Sequence, residues 1–481
     1  MGFATGPAKQ RGPVARPCSL FGCGLTPVWA RVYAPWALLA RVNPRAQPPP
    51  RAVFGRPHPR RARMTNRMYT VCTRCAQESY AGFCRSLPLS GASQGAPFAG
   101  RLRPDGTPMT DTPDTLRPLL ARAETALNAG RFDDMHAALD AAFAIDPGCL
   151  AGLWTYTYGT RFAAHDAVLE RIESYARQPG LAPPLRAQLL FMRAKALDDL
   201  GRHAETFEVV LEANETKGAT FDTPAITALT HRLITAVRAA PDIRLNAQGP
   251  RMIFVLGMPR SGTSLIAQML GAHPAITNLG ERVALGPALE RRQTGANPHL
   301  AFLDGIDQAR LETARARYLD GVPEAGIFVD KMPENYLFAW AIPMLFPDAL
   351  ILHMRRDRLA TCWSCYKNDF REGHRYSYDW ADLTAQYDRH LNLCALGRER
   401  AGEAWHEVSL DRLTAHPEQV LTPILAALGL SWDAACAAPE RAGGAMPTLS
   451  KWQVRQGIDP AMAQGWRAYE PMIRARLEGA R

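Results

Sequence analysis

The chain has 481 residues, with 56 Lys+Arg against 46 Asp+Glu and a net charge of +10. A length of this order accommodates two or three domains. No run of about 18 apolar residues occurs, which excludes a membrane-spanning helix. The positive charge is not spread evenly: residues 1–108 hold 16 Lys+Arg and 2 Asp+Glu, a surplus of +14, so the rest of the chain stands at −4. A mildly acidic folded part argues against a nucleic-acid partner.

In chain order, residues 1–108 come first. They carry 15 of the 38 prolines and 5 of the 10 cysteines, and include Pro48-Pro49-Pro50 and Pro57-His58-Pro59-Arg60-Arg61. They show no sustained helical or strand period, so disorder is expected. Met109-Thr110-Asp111-Thr112-Pro113-Asp114 reads as a native start ahead of the first amphipathic helix. The upstream stretch is therefore expected to be leader sequence from a misassigned start codon. An Arg-rich transit segment or a nucleic-acid-binding arm are the rival readings, although Trp, Cys and Pro interrupt any amphipathic helix there. Cys72-x-x-Cys75 has no second pair at zinc spacing, and no metal is expected.

Residues 109–247 read as helix pairs. Ala123-x-x-Ala126-Leu127-x-x-Gly130-Arg131 leads to Ala137-Ala138-Leu139-x-x-Ala142, and Ala194-x-Ala196-Leu197-x-x-Leu200-Gly201-Arg202 leads to Val209-Val210-Leu211. The two Gly-Arg pairs stand 71 residues apart, about two periods of a 34-residue repeat, with Leu153 to Arg177 as a degenerate middle pair. This resembles a short tetratricopeptide (TPR) solenoid, whose concave face can recruit a peptide or partner protein. A helical spacer or a homodimer surface fits the pattern equally well.

Residues 250–481 carry the chemistry. Ile253-Phe254-Val255-Leu256 is a buried-strand pattern, Gly257-Met258-Pro259-Arg260-Ser261-Gly262 a glycine-bracketed loop, and Leu265, Ile266, Met269 and Leu270 a helical stripe. A strand, a loop and then a helix N-terminus make an anion cradle. A nucleotide-triphosphate loop needs a lysine where Thr263 stands, and an acid to hold Mg²⁺. Here the apolar strand Ala349-Leu350-Ile351-Leu352-His353-Met354 ends in Arg355-Arg356, and Arg260 brings its charge from inside the loop. The pattern predicts a phosphate group bound without metal. A nucleotide kinase or other NTPase that lost its loop lysine is one rival reading. A non-catalytic TPR scaffold with a nucleotide-binding domain is another. Cys149, Cys362, Cys365, Cys394 and Cys436 are an odd set, consistent with reduced thiols and a cytoplasmic location.

Three stretches together resemble sulfotransferases that use 3′-phosphoadenosine 5′-phosphosulfate (PAPS). They are Pro259-Arg260-Ser261-Gly262-Thr263-Ser264, Asp330-Lys331-Met332-Pro333-Glu334-Asn335, and Arg355 through Tyr366. The branch is the one related to protein-tyrosine sulfotransferases, in its bacterial TPR-containing form. The resemblance implies a P-loop-like, three-layer α/β domain with a parallel sheet, preceded by an all-α TPR-like array. It implies that Arg260, Ser261, Gly262, Thr263 and Ser264 grip the phosphosulfate, and that Arg356 and Ser364 bind the 3′-phosphate. A family arginine one turn beyond that serine falls on Asn368, with Lys367 next to it as a substitute. Glu281 stands at the family's carboxylate base, with His273 as the alternative; at the far end of the loop helix, His273 reads first as a cap for the helix carbonyls. Lys331 stands where the family stabilises the leaving phosphate oxygen. Ser450 and Lys451 fall in the segment that folds over the nucleotide, with Ser450 assisting the reaction centre. Near the adenosine end Gly465 replaces a basic residue, and Arg467 is the candidate to compensate. The implied reaction is sulfuryl transfer to an acceptor hydroxyl, protein tyrosine first, with a small-molecule or carbohydrate hydroxyl as the alternative.

Overall fold

The computed structural model describes residues 115–246, 248–291, 297–371, 373–439 and 458–479, and a short antiparallel pairing of Arg101–Leu102 with Pro108–Met109. The expectations for residues 1–100, and those for Ser450 and Lys451, lie outside the described residues.

The front region is helical, as its periodicity requires. Helix α1 (Leu116–Ala129) and α2 (Phe132–Ile145) form one hairpin, and α5 (Pro183–Asp199) and α6 (His203–Lys217) another. Between them lie α3 (Leu150–Gly159) and α4 (Ala167–Ala176), and α7 (Thr223–Ala239) follows. Both predicted Gly-Arg pairs make the same turn. Gly130 and Gly201 each have φ 72, and the next arginine N–H closes on the helix, Arg131 to the Ala126 carbonyl and Arg202 to that of Leu197, both at 2.9 Å. This is the Schellman arrangement, which satisfies carbonyls the helix end leaves open. The apolar stripes of α1 to α5 meet in one core that includes Leu127, Met135, Leu139, Leu153, Ile172 and Met192.

The second region is built on five parallel strands: β1 (Arg251–Gly257), β2 (Ile276–Asn278), β3 (Ile327–Lys331), β4 (Leu350–Arg355) and β5 (Trp405–Ser409). Their order is β2-β3-β1-β4-β5, which puts the loop strand β1 in the centre. Strand alternation divides β1 between two cores. Met252, Phe254 and Leu256 face a layer made by α7, α9 (Gln308–Tyr318) and α11 (Trp380–Ala401). Ile253 and Val255 face α8 (Thr263–Gly271) and α12 (Pro417–Ala427). Helices on both faces explain why β1 reads as one uninterrupted apolar run. The result is the expected three-layer α/β domain.

The two regions are continuous in packing. Leu190, Phe191, Leu197, Phe207 and Val210 of α5 and α6 share a core with Trp363 and Tyr366 of α10 (Arg358–Tyr366), Tyr376, Tyr378, Trp466 and Tyr469. Polar bonds cross the same boundary: Asn214 to the Tyr366 carbonyl at 3.0 Å, Lys217 to Asp369 at 2.9 Å and Thr223 to Asp382 at 2.6 Å. Among the described residues, no helix is long and apolar enough to cross a membrane.

Candidate active site

In an open parallel sheet, ligands bind at the carboxyl ends of the strands. Register brings the predicted groups there. Lys331 is opposite Val255 near the end of β1, and Gly257 is opposite Met354 near the end of β4. The loop after β1 turns tightly. Gly257 has φ 150, and a Cβ on it would stand 2.8 Å from the Met354 carbonyl oxygen and 3.0 Å from Ser261 Oγ. Only glycine fits so close to a neighbouring backbone. Ser261, 1% exposed, uses both its N–H (3.3 Å) and its hydroxyl (2.7 Å) on the Met258 carbonyl. Its side chain therefore closes the loop on itself. Gly262 and Thr263 bring in α8, whose leading N–H groups have no acceptor within the helix.

Arg260 lies between the two predicted anion sites. It holds a left-handed conformation, φ 67, rare for a non-glycine residue. Its Nε donates to Ser364 Oγ at 3.1 Å, and its carbonyl accepts from Arg356 Nη1, also at 3.1 Å. The loop arginine and the 3′-phosphate pair of the sequence reading are thus one hydrogen-bonded unit. Arg356 Nη2 donates to the Ala463 carbonyl at 2.9 Å, and its buried Nε has no hydrogen-bond partner among the described residues. Among the described residues Arg356 also has no ion-pair partner. Burial, then the Arg260 charge, lowers its pKa to about 10. Burial lowers the Arg260 pKa too. A buried, planar guanidinium with an unfilled donor beside a second one is a built receptor for a multiply charged oxyanion.

The ladder between β2 and β3 sets the other half. Leu279 N–H donates to the Val329 carbonyl at 2.9 Å and Lys331 N–H to that of Gly280 at 3.0 Å, so pairing runs on past β2. Glu281 is the next residue, and its carboxylate accepts a hydrogen bond from Lys331 Nζ. The Lys331 side chain is 6% exposed and that of Glu281 22%. Sequence reasoning assigned these two roles separately; the structure makes them an ion pair.

Beneath Lys331, Asp330 is fully buried and accepts from the Tyr318 hydroxyl at 2.6 Å and from Asn335 at 3.3 Å. Burial pushes its carboxyl up to about 6, against the pull of Tyr318, Arg282 and Asn335. A folded pKa above the unfolded value of about 3.9 means that this group stabilises the fold fully below that value. The contribution is lost as pH rises through about 6. Asp330→Asn keeps an oxygen acceptor and removes the charge. Relative to the parent, its denaturation midpoint should gain more at pH 8 than at pH 4.5; an equal change at both would show that the buried charge is not the cause.

Two expectations, for Lys367 and Arg467, are corrected, and the helix-end reading of His273 is met. Lys367 does not substitute at the 3′-phosphate site: it pairs with Asp198 of α5 at 2.6 Å and lies over the Tyr469 ring. Asn368 caps its own helix through the Ser364 carbonyl at 2.7 Å. Arg467 does not fill the place left by Gly465: it donates to Gln464 and pairs with Glu470 on the surface. His273 is at the far end of α8, where Nδ1 accepts from Ala275 N–H at 3.1 Å and Nε2 lies 3.2 Å from the Ser431 carbonyl. That is a helix-end role. Arg355, the other member of the strand-end pair, turns to Glu407 of β5 at 3.6 Å.

The five described cysteines are buried and free of disulfides. A buried cluster that the sequence reading did not single out, His353, His390 and Cys394, has the two Nε2 atoms 2.9 Å apart. Burial drives His353 down to about 2 and His390 to about 3, so both rings are neutral, and one donates to the other.

A glycine cradle, paired guanidinium groups and a Lys–carboxylate pair on one parallel sheet edge define an α/β domain built for anionic group transfer. Comparison with known proteins gives the same class a family. Residues 250–434 match the profile of the sulfotransferase family. A protein of Aquifex aeolicus (strain VF5) is 29% identical over 344 residues, covering 66% of this chain and 45% of that protein. Protein-tyrosine sulfotransferase 2 of Gallus gallus is 26% identical over 198 residues, covering 38% of this chain and 52% of that one. The chain thus spans about half the length of these two relatives. A sulfotransferase domain from the Synechococcus PCC 7002 olefin synthase aligns over 47% of this chain and 90% of its own, with 21% identity and a TM-score of 0.32.

Proposed function

We propose that the chain moves a sulfuryl group from PAPS to an acceptor hydroxyl, with protein tyrosine as the acceptor. The observation that carries this reading is Arg356. It is a buried guanidinium with an unfilled Nε, hydrogen-bonded to the carbonyl of the loop arginine and set across the loop from the Glu281–Lys331 pair. A donor with two separate anionic ends needs two linked cationic pockets, and Arg260 links them. The 3′-phosphate fits Arg356 and Ser364; the phosphosulfate fits Arg260 and the loop from Ser261 to Ser264.

In this reading Glu281 is the base. Lys331 holds its carboxylate in place by a hydrogen bond, and that carboxylate takes the proton of the acceptor hydroxyl as oxygen attacks sulfur. Lys331, released from that pair, places its charge on the oxygen where the S–O bond to phosphate breaks. Transfer is direct and in line, a matter of positioning and electrostatics, with no metal among the groups invoked. The family match supports the reaction, and the protein-tyrosine sulfotransferase among the relatives supports the acceptor. The helical array recruits the acceptor protein, and the buried free thiols fit a cytoplasmic location.

The test is labelled PAPS supplied to a lysate of the source cells with the purified protein. Label on tyrosine of a protein is expected. Label on a small molecule or carbohydrate would replace the acceptor class, and no enzyme-dependent label would overturn the reaction.

A further inference from the structure

Two buried histidines and a cysteine meet under the edge of the sheet. His353 comes from β4, and His390 and Cys394 come from α11. Each histidine is 1% exposed and Cys394 is 3% exposed. The two Nε2 atoms stand 2.9 Å apart, and together with Cys394 Sγ they lie within 4.8 Å of one another. None of the three belongs to the donor grip or to the Glu281–Lys331 pair.

A polar side chain in a packed interior destabilises the fold unless it is partnered. The contact between the rings uses one nitrogen of each. His353 Nδ1 and His390 Nδ1 are buried as well, with no hydrogen-bond partner among the described residues. Packing alone gives no reason to place two imidazoles and a thiol here.

The donor set is that of a soft-metal site. Residues four apart on a helix share a face, so α11 presents His390 and Cys394 together. The same spacing holds paired ligands in helical zinc sites. The strand supplies the third donor from across the layer. Imidazole and thiolate favour zinc and copper(I) over magnesium or calcium. Zinc holds nitrogen at about 2.0–2.1 Å and sulfur at about 2.3 Å, so two nitrogens on one tetrahedral zinc stand about 3.3 Å apart. The rings need only part slightly to admit the ion. Their neighbours already orient them: Trp405 of β5 stands 5.4 Å from the His353 ring and Tyr336 stands 4.9 Å from the His390 ring. A metal-bound histidine commonly turns its other nitrogen to a carboxylate or carbonyl. Here Glu407 Oε1, on the edge strand β5, lies 3.7 Å from His353 Nδ1. Glu407 also faces Arg355 and Arg398, at 3.6 and 3.7 Å.

We propose that His353, His390 and Cys394 bind a thiophilic cation of the zinc and copper(I) class, which ties β4 to α11. On binding, the Cys394 thiol releases its proton to solvent, and the metal replaces the proton shared by the two Nε2 atoms. Each imidazole stays neutral with its proton on Nδ1, where that of His353 meets Glu407. Three donors complete a trigonal copper(I) site, and zinc adds a water as its fourth ligand. His353 stands three residues before Arg356, so the tie anchors the strand that delivers this arginine to the sheet edge. The site stands independently of the sulfuryl-transfer reading.

The test is titration of the full chain, stripped with a chelator and kept reduced, with Co²⁺, Zn²⁺ and Cu⁺. Co²⁺ should give a thiolate-to-cobalt charge-transfer band that Zn²⁺ or Cu⁺ erases and that Cys394→Ser lacks. The melting temperature of the parent should rise with Zn²⁺ concentration, and that of His353→Gln should not respond. Glu407→Gln should keep the cobalt band and bind Zn²⁺ about 10–100-fold more weakly. X-ray absorption of the zinc-loaded parent should show sulfur and imidazole nitrogen around the metal, a readout that remains decisive should the variants not fold. A cobalt band retained in full by Cys394→Ser, a zinc shell without sulfur, or a parent that binds none of the three ions would overturn the site.

Discussion

Glu281→Gln should leave the donor bound and lower turnover by about 10²–10⁴-fold, the usual value of a positioned general base. The amide oxygen can still accept from Lys331, which in the parent donates to the carboxylate. Neither the backbone bond from Lys331 to Gly280 nor the packing of β3 depends on the carboxylate charge. Donor affinity, measured by calorimetry with the desulfated nucleotide, is therefore expected to match the parent, and the loss to appear in kcat. Equal turnover by variant and parent would remove Glu281 from the base role. A loss that came wholly from weaker donor binding would instead make the Glu281–Lys331 pair a binding element.

Arg356→Lys should weaken donor binding by about ten- to a hundred-fold, matching the ~1.5–3 kcal/mol of a hydrogen bond to a charged group. Lysine keeps the charge and loses the planar fork. Arg356 uses two arms on the Arg260 and Ala463 carbonyls and leaves Nε for the ligand. An ammonium group cannot serve all three. The measurement compares affinity for adenosine nucleotides with and without a 3′-phosphate. The parent should prefer the 3′-phosphorylated form strongly, and the variant should lose most of that preference. An unchanged preference would place the 3′-phosphate elsewhere, whereas equal loss for both nucleotides would mean that Arg356 acts by holding the loop.

Much of the site was legible because it obeys local rules. The run from Ile253 to Leu256, the glycines at 257 and 262 and the helical stripe after them are dictated by neighbours in sequence, and the strand, loop and helix follow in that order. Lys331 and Arg356 could be placed at strand ends because an apolar run ending in a charge marks the edge of a buried sheet. The two Gly-Arg turns were readable because a Schellman closure needs only the residues of one helix end.

What could not be read depended on side chains from distant segments. Arg356 follows the end of β4 and Lys367 the end of the next helix, α10, yet Lys367 is drawn away by Asp198 from a helix far earlier in the chain. Ser261 belongs to the donor motif, but its hydroxyl serves the loop's own carbonyl. The contact between His353 and His390 joins residues 37 apart, with no motif spacing to announce it. The only local hint was the helical spacing of His390 and Cys394.

By itself the sequence determined the central parallel strand, the anion loop, the helical front and the set of charged groups, because period, glycine placement and strand-end charge are local properties. Only the tertiary structure decided how those charges are spent. It joined Arg260 to Ser364 and Arg356, set Glu281 against Lys331 and turned Lys367 and Arg467 to other partners. The reason is physical. A buried charge takes whichever partner the packed chain brings within hydrogen-bond reach, and that partner is chosen by strand register and helix packing rather than by sequence neighbours.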